Sequence, residues 1–527
     1  MPGDNAKRPE KILLLERGKR GLFQILFGRT TMIILLLLLQ LGLLFGVYRY
    51  LYRYAPVTLA ATVGLSLVMA MVVVNREGNP TIKISWLVLM MVAPLFGGLL
   101  YLFVDTQITH RIIASIDRKL TRSITPFLQP DQALMARLAE RDPQGAALAR
   151  YLAEQGGSPA YEGCDVTYFP LGEAMLEGLL RELERAERFI FLEYFIVEEG
   201  YMWGRVLEVL ERKAREGVEV RVLYDGTCAV LLLPYQYPKK LRALGIQCRM
   251  FNPLRVALST HYNNRDHRKI VVIDGHTAFT GGINLADEYI NRKVLHGHWK
   301  DTAIMVQGPA VRRFTLLFLQ MWDLSAVKGE DFGAYLPPVE SRGEGRGLVI
   351  PYGDSPLVRE NLGEMVYMDM LNTAQRYVHI MTPYLILDNE MVTALTYAAK
   401  RGIDVTILLP HIPDKKSIFA LAKNHYPELL RAGVRIYEYT PGFVHAKVFV
   451  SDDRKAVVGS INLDYRSLYL HFECAAYLYE NPVIPAIEAD FQETLAKSQR
   501  ITLEDCRKTP LLQRFTGRLL RLIAPLL

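Results

Sequence analysis

Cysteine is scarce in this chain: five in 527 residues, scattered as Cys164, Cys228, Cys248, Cys474 and Cys506. An odd, dispersed set builds no disulfide framework and suggests free thiols in a reducing compartment. None of His261, His276, His296, His298 and His471 pairs at the spacing of a zinc site, so these five read as surface or hydrogen-bonded residues and no metal is expected. Tryptophan is rarer still, at four residues, and Trp299 and Trp322 read as packing residues. The basic run Arg265 to Lys269 lacks the interleaved aromatics of single-strand binders, so no nucleic-acid partner is expected. No small-residue cleavage site is in view among the apolar segments near the N-terminus, which argues against a cleaved signal peptide.

Apolar residues are plentiful. Half the chain is hydrophobic and mean hydropathy is +0.11, with the excess lying before residue 105. Uncharged stretches run from Thr30 to Tyr48, Tyr54 to Asn75 and Ile84 to Val104, each long enough for a helix to cross roughly 30 Å of hydrocarbon. The expectation is a multi-pass protein of the cell membrane. Lys7, Arg8, Lys11, Arg17, Lys19, Arg20 and Arg29 before the first stretch, and Arg111, Arg118, Lys119 and Arg122 after the third, both favour the cytoplasm. Three full crossings cannot satisfy both ends. The first stretch, interrupted by Gln40, is the one expected to be re-entrant or interfacial, which leaves the globular part on the cytoplasmic face. A net charge of +7 suits an anionic lipid surface.

Beyond residue 160 the sequence repeats. A short apolar strand from Arg188, a helical pattern over Gly204 to Glu216 and a β-branched run after Gly217 are echoed by a strand from Arg376, a helix over Glu390 to Arg401 and a run after Gly402. Strand, helix, glycine and strand is the pattern of a β-α-β unit. The fold class expected is α/β: two similar α/β/α domains with pseudo-twofold symmetry behind N-terminal transmembrane helices. The boundaries are a basic segment 1–29, a transmembrane region 30–104, a helical connector 105–160, domains at 161–340 and 341–507 meeting near the Gly- and Glu-rich linker Ser341 to Gly347, and an amphipathic helix 508–527.

The motif His-x-Lys-x-x-x-x-Asp occurs once in each domain, as His267, Lys269 and Asp274 and as His445, Lys447 and Asp452. Each is followed by a small-residue turn and an asparagine, Asn284 or Asn462; the two histidines and the two asparagines are each 178 residues apart. On a strand, residues two apart share a face, so histidine and lysine project together into a site at the domain interface. Lysines and asparagines would donate to phosphate oxygens where charge is held in a trigonal-bipyramidal transition state. Two coupled imidazoles can divide nucleophile and general acid between them. Each ring needs a carboxylate to fix its tautomer, and Asp301 and Glu473 are the candidates. The six motif residues form the candidate catalytic set; within it Asp274 and Asp452, at strand ends, read as turn or salt-bridge formers.

These motifs, together with Asn264 to Lys269, Trp299-Lys300-Asp301-Thr302, Thr382-Pro383-Tyr384 and Asn462-Leu463-Asp464-Tyr465-Arg466-Ser467, resemble the phospholipase D superfamily and, with the apolar N-terminus, its bacterial cardiolipin synthases. The resemblance implies transfer of a phosphatidyl group from one phosphatidylglycerol to another, giving cardiolipin and glycerol without metal, nucleotide or other cofactor. It implies His267 as nucleophile and His445 as acid and base, Lys269, Lys447, Asn284 and Asn462 on the phosphate, and Asp301 and Glu473 orienting the rings. Asp225-Gly226-Thr227-Cys228 departs from the Asp-x-x-Gly-Ser expected in this group. A hydrolytic phospholipase D, a transferase using another alcohol, a membrane-anchored nuclease and a non-catalytic scaffold are the competing readings; whether the chain self-associates is left open. At the C-terminus Arg514, Arg518 and Arg521 stand at helical spacing opposite apolar residues, a pattern that fits either an anionic bilayer or the protein's own core.

Overall fold

The computed structural model describes residues 55–526 apart from 106–107, 235, 253–263, 326–328 and 342–346, together with a few positions between 38 and 49. Most of the first apolar stretch, His261 and most of the linker after Ser341 lie outside the described residues. Where the sequence alternates short β-branched runs with amphipathic segments, two sheets form. The first contains β1 (Asp165–Phe169), β2 (Phe189–Tyr194), β3 (Glu219–Asp225), β4 (Gln247–Phe251), β5 (Lys269–Ile273) and β6 (Thr277–Gly281). After β7 (His298–Lys300), which lies outside it, β8 (Ala303–Gln307) completes the sheet in the order β1-β8-β6-β5-β2-β3-β4.

The second half follows the same plan with β9 (Leu348–Asp354), β10 (Tyr377–Met381), β11 (Asp404–Pro410) and β12 (Arg435–Tyr439). Then come β13 (Gly442–Val444), β14 (Val448–Ser451), β15 (Lys455–Gly459), β16 (Glu473–Tyr479) and β17 (Ser498–Ile501). Their sheet runs β17-β12-β11-β10-β14-β15-β16-β9, the order of the first with one strand added at the edge. The repeat read from sequence is therefore a repeat of topology. In both halves a β-α-β unit makes parallel pairs, β2 with β3 and β10 with β11, and the helix between them ends at a glycine with positive φ, Gly217 at 94° and Gly402 at 92°. Helix Val311–Leu324 is buried between the sheets, and its Phe314, Leu317, Phe318 and Trp322 join side chains of both in one core.

The apolar N-terminal region differs from three spans. The second stretch forms a helix, Ala55–Asn75, with Leu67, Val68, Met71, Val72 and Val74 exposed. The third, expected as one span from Ile84 to Val104, is broken into helices Pro80–Val92 and Pro94–Asp105. Pro94 supplies no N–H and holds Ala93 out of the helical region, at φ −137° and ψ 77°. At 13 and 12 residues, neither piece reaches the ~20 that a crossing needs. Gly97 lets the chain double back, since a Cβ there would lie 2.8 Å from the Met90 Cα. Among the described residues no helix is long and apolar enough to cross a membrane. The three helices share a small core of Met69, Val73, Trp86, Met90 and Tyr101 and are tied to the second domain, where Asn79 donates to Asp388 at 2.9 Å and to the Tyr469 hydroxyl at 2.8 Å.

Candidate active site

The segment entering each motif leaves its own sheet and pairs with the other domain. Asp266 bridges Phe472, and the His267 N–H donates to the Phe472 carbonyl at 2.9 Å. In the second half β13 pairs with β7, Val444 opposite Lys300, and the His445 N–H donates to the Lys300 carbonyl at 2.7 Å. The residue after Phe472 is Glu473, and the residue after Lys300 is Asp301. Backbone pairing thus sets each histidine beside a carboxylate of the opposite domain. His267 Nδ1 lies 2.9 and 3.0 Å from the two Glu473 oxygens, and His445 Nδ1 lies 2.6 Å from Asp301 Oδ2.

With Nδ1 held by a carboxylate, Nε2 of each ring is left for chemistry. Glu473 and Asp301 are fully buried, and their seats are built for them. Ser460 donates its hydroxyl to Glu473 Oε2. At the matching place in the first half, Gly282 has no side chain; a Cβ there would lie 2.1 Å from Asp301 Oδ1. Burial pushes the Asp301 carboxyl up to about 6, against the pull of Lys447.

Both lysines lie within two residues of their histidines and are buried to within 2 % of full coverage. Lys269 Nζ donates to the His267 carbonyl at 2.6 Å and sits 5.5 Å from the Phe195 ring centre. Lys447 Nζ likewise donates to the His445 carbonyl, and it also lies 2.8 Å from His445 Nδ1 and 3.1 Å from its Nε2. Loss of hydration lowers the Lys269 ammonium to about 7 and the Lys447 ammonium to about 8, despite Glu473 and Asp301 nearby. Burial, then the two lysines, hold both imidazoles well below their ordinary value.

Asp274 and Asp452, expected in the motif set, stay out of the cleft. Each has positive φ, 53° and 57°, at the end of its strand. The Asp274 carboxylate accepts the N–H groups of Glu187, Arg188 and Phe189 at 2.7 to 2.8 Å; that of Asp452 accepts those of Gln375, Arg376 and Tyr377 at 2.8 to 2.9 Å. They fasten β5 and β14 to the starts of β2 and β10. Their place in the catalytic set is corrected to a structural one, through backbone amides rather than salt bridges, because a carboxylate with three amide donors has no reason to enter the cleft. Asn284 is engaged at both ends, accepting from the Ile196 N–H at 3.0 Å and donating to the Tyr289 hydroxyl at 2.7 Å. Asn462 differs: its Oδ1 is buried with no partner.

Residues outside the motif set complete the site. His471, read as a surface or hydrogen-bonded residue, is buried and hydrogen-bonded: its Nε2 accepts from Arg466 Nε at 3.3 Å, its ring lies 5.5 Å from that of His267, and its Nδ1 lies 3.8 Å from Glu473. His267, His471 and Glu473 offer three atoms within 4.8 Å of one another, a set able to ligate a metal ion. Trp299 packs against His445 at 5.4 Å. Behind His267, Asp225 accepts from Arg265 at 3.2 Å and from the Asp266 N–H at 3.0 Å, while Arg268 reaches Glu193 at 2.6 Å. The acid at the head of the unusual Asp225 to Cys228 loop was the available signal.

Two sheets of like order and two imidazoles, each oriented by the other's domain, define the phospholipase D class of fold. Comparison with known proteins agrees. Residues 179–322 and 367–495 match the family described as cardiolipin synthase, PLD-like domain, and residues 64–104 match a phospholipase D-nuclease N-terminal family. The cardiolipin synthase of Geobacillus kaustophilus is 35% identical over 464 residues, covering 87% of this chain and 91% of its own. That of Alkalihalophilus pseudofirmus is 33% identical over 475 residues, 89% and 94% of the two chains. A Streptococcus mutans protein described as uncharacterized is 50% identical over 454 residues, 86% of this chain and 98% of its own. The solved phosphatidylserine synthase of Haemophilus influenzae shares the fold, with a TM-score of 0.53 at 14% identity over 68% of this chain and 93% of its own. The chain belongs to the phospholipase D-like cardiolipin synthase family.

Proposed function

We propose that the chain is a cardiolipin synthase that moves a phosphatidyl group from one phosphatidylglycerol to the terminal hydroxyl of another, with release of glycerol and no metal or cofactor. The observation that carries this reading is the crossed pairing of Nδ1 of each ring with Glu473 and Asp301 of the opposite domain, which leaves Nε2 of each for chemistry. His267 Nε2 attacks phosphorus, the bond to the glycerol oxygen breaks, and His445 gives its proton to that oxygen. In the second half-reaction His445 takes the proton of the incoming hydroxyl, whose oxygen attacks phosphorus as the P–N bond breaks. Protons balance over the cycle, and one phosphodiester replaces another. Lys269, Lys447, Asn462 and the second N–H of Asn284 hold the non-bridging oxygens.

Charge accounts for the timing of the proton. Two buried lysines face two buried carboxylates, and burial together with the lysines holds both imidazoles well below their ordinary value. A phosphodiester adds one negative charge, which favours one proton on the histidine pair. The acid is thereby armed by the substrate it serves. The exposed apolar side chains of Ala55–Asn75 and of Pro80–Val92 support a membrane-associated protein whose substrate is already in the bilayer.

Incubating purified protein with phosphatidylglycerol as the only phospholipid tests the proposal. Cardiolipin and glycerol in equal amounts are expected. Phosphatidic acid as the product would make the protein a hydrolase, and no lipid product at all would reject both.

A further inference from the structure

On the second domain, away from the crossed histidines, helices Lys416–Lys423, Tyr426–Ala432, Leu503–Lys508 and Leu511–Ile523 surround a cavity of about 450 Å³. Six basic side chains line it, Lys423, Arg431, Arg507, Arg514, Arg518 and Arg521, against one acid, Glu428. Lys423 lies 3.5 Å from Glu438 and Arg521 3.9 Å from Glu428. Among the described residues no carboxylate pairs with Arg431, Arg507, Arg514 or Arg518. Four arginines, three of them exposed, thus line one cavity without a paired carboxylate, a concentration of positive charge that attracts an anion. The Asn424 Nδ2 adds a buried donor with no acceptor at the same wall.

Helix Leu511–Ile523 has three faces, which a turn of about 100° per residue makes distinct. Gly517 and Leu520 dock on the domain: a Cβ on Gly517 would meet Asn424 Nδ2 at 2.2 Å, and Leu520 packs with Ile386, Leu421, Tyr465 and Ala524. Arg514, Arg518 and Arg521 border the cavity. Leu511, Leu512, Phe515, Leu519 and Leu522 face outward, from 46% to 79% exposed. The helix also touches Pro80–Val92, whose Ile84, Met91 and Val92 are exposed, so the apolar surface adjoins the N-terminal region. Core docking and bilayer binding are the alternatives the sequence offers; Leu520 and Gly517 make the first, and the outward apolar residues lie on another face of the helix.

We infer that this cavity binds the phosphate of an anionic phospholipid drawn from the bilayer, with the acyl chains lying along the outward leucines and Phe515. Guanidinium groups match phosphate oxygens in pairs, and the apolar face supplies what a free phosphate cannot use. The inference rests on the proposed membrane-lipid function, but it concerns a second lipid site sharing no residue with the catalytic cleft.

Full-length protein in detergent would be photolabelled with a diazirine-bearing phosphatidic acid or phosphatidylcholine, and the labelled peptides mapped. The acidic probe is expected on residues 420–431 and 503–521, several-fold above the zwitterionic one. Labelling there should fall several-fold in Arg514→Gln/Arg518→Gln, and in Arg431→Gln/Arg507→Gln from the opposite wall, with the melting temperature unchanged in at least one. Equal labelling by both probes, unchanged labelling in both variants, or displacement of the label by millimolar inorganic phosphate would each overturn the inference. Cardiolipin formation by the same wild-type preparation is read separately, so failure of the proposed function and failure of the cavity are told apart.

Discussion

His267 and His445 occupy matching places in the two halves, each with Nδ1 on a carboxylate of the other, but their neighbours differ. His267 shares Glu473 with the Ser460 hydroxyl and faces the ring of His471. At the corresponding places His445 has Asp301 above Gly282 and faces Trp299. Each lysine donates to its own histidine's carbonyl, but Lys447 also lies against the ring nitrogens of His445, whereas Lys269 sits beside the Phe195 ring. Two copies of one motif have therefore become two chemically distinct imidazoles. A displacement through a covalent intermediate needs that, because one ring must be neutral when the other carries the proton.

Replacing each histidine breaks the comparison most sharply. His267→Ala and His445→Ala should each lower the transfer rate by at least ~10³-fold. Only His445→Ala should retain covalent lipid on the protein, traced with chain-labelled phosphatidylglycerol and mapped to His267. Lipid trapped instead on His445 in the His267→Ala protein would reverse the assignment. The carboxylates come next, at ~10²-fold each. Because they act across the interface, Glu473→Gln should prevent covalent lipid from forming, while Asp301→Asn should let it accumulate; quenched-flow labelling distinguishes the two, and the opposite pattern would refute the crossed roles.

The lysines test the comparison through pH. The useful form is the ammonium, and burial places its loss at about 7 for Lys269 and about 8 for Lys447 in the empty site. In wild type kcat/KM should therefore be level below that window and fall as pH rises through it. Lys269→Met and Lys447→Met should each cost ~10²-fold, and the fall that remains should lie near 8 in the first and near 7 in the second. A profile flat from pH 6 to 9 in wild type would contradict this. Ser460→Ala removes one hydrogen bond to Glu473 and should cost about tenfold. It should slow formation of the covalent lipid and not its breakdown, in single-turnover measurements. The smallest effect is expected where only the ring neighbour changes: His471→Asn should slow transfer by a few-fold, with full activity retained in a chelating buffer. Loss of activity on chelation, abolished by that same substitution, would show that His471 holds a metal.

Much of the site was legible without coordinates because a strand has period two and a duplicated motif repeats its offsets. His267 beside Lys269, the β-α-β units and the candidate carboxylates all follow from local spacing. Asp274 and Asp452 were also readable as strand-end residues, though the three backbone N–H groups each one captures come from a segment 75 to 87 residues away. His471 gave no signal, since a lone histidine in a strand approach looks like any other. The third apolar stretch misled for a different reason: hydropathy averages over Pro94, while the backbone cannot.

The sequence by itself determined the chemistry: two imidazoles, two ammonium groups and two carboxylates, in a chain whose repeated alternation must fold into two like sheets. It did so because residue types and short-range periods are local properties. Only the tertiary structure decided which carboxylate serves which histidine. Glu473 lies 206 residues from His267, and Asp301 144 from His445; they meet because Asp266 pairs with Phe472 and β13 with β7, backbone contacts between domains that no local pattern encodes.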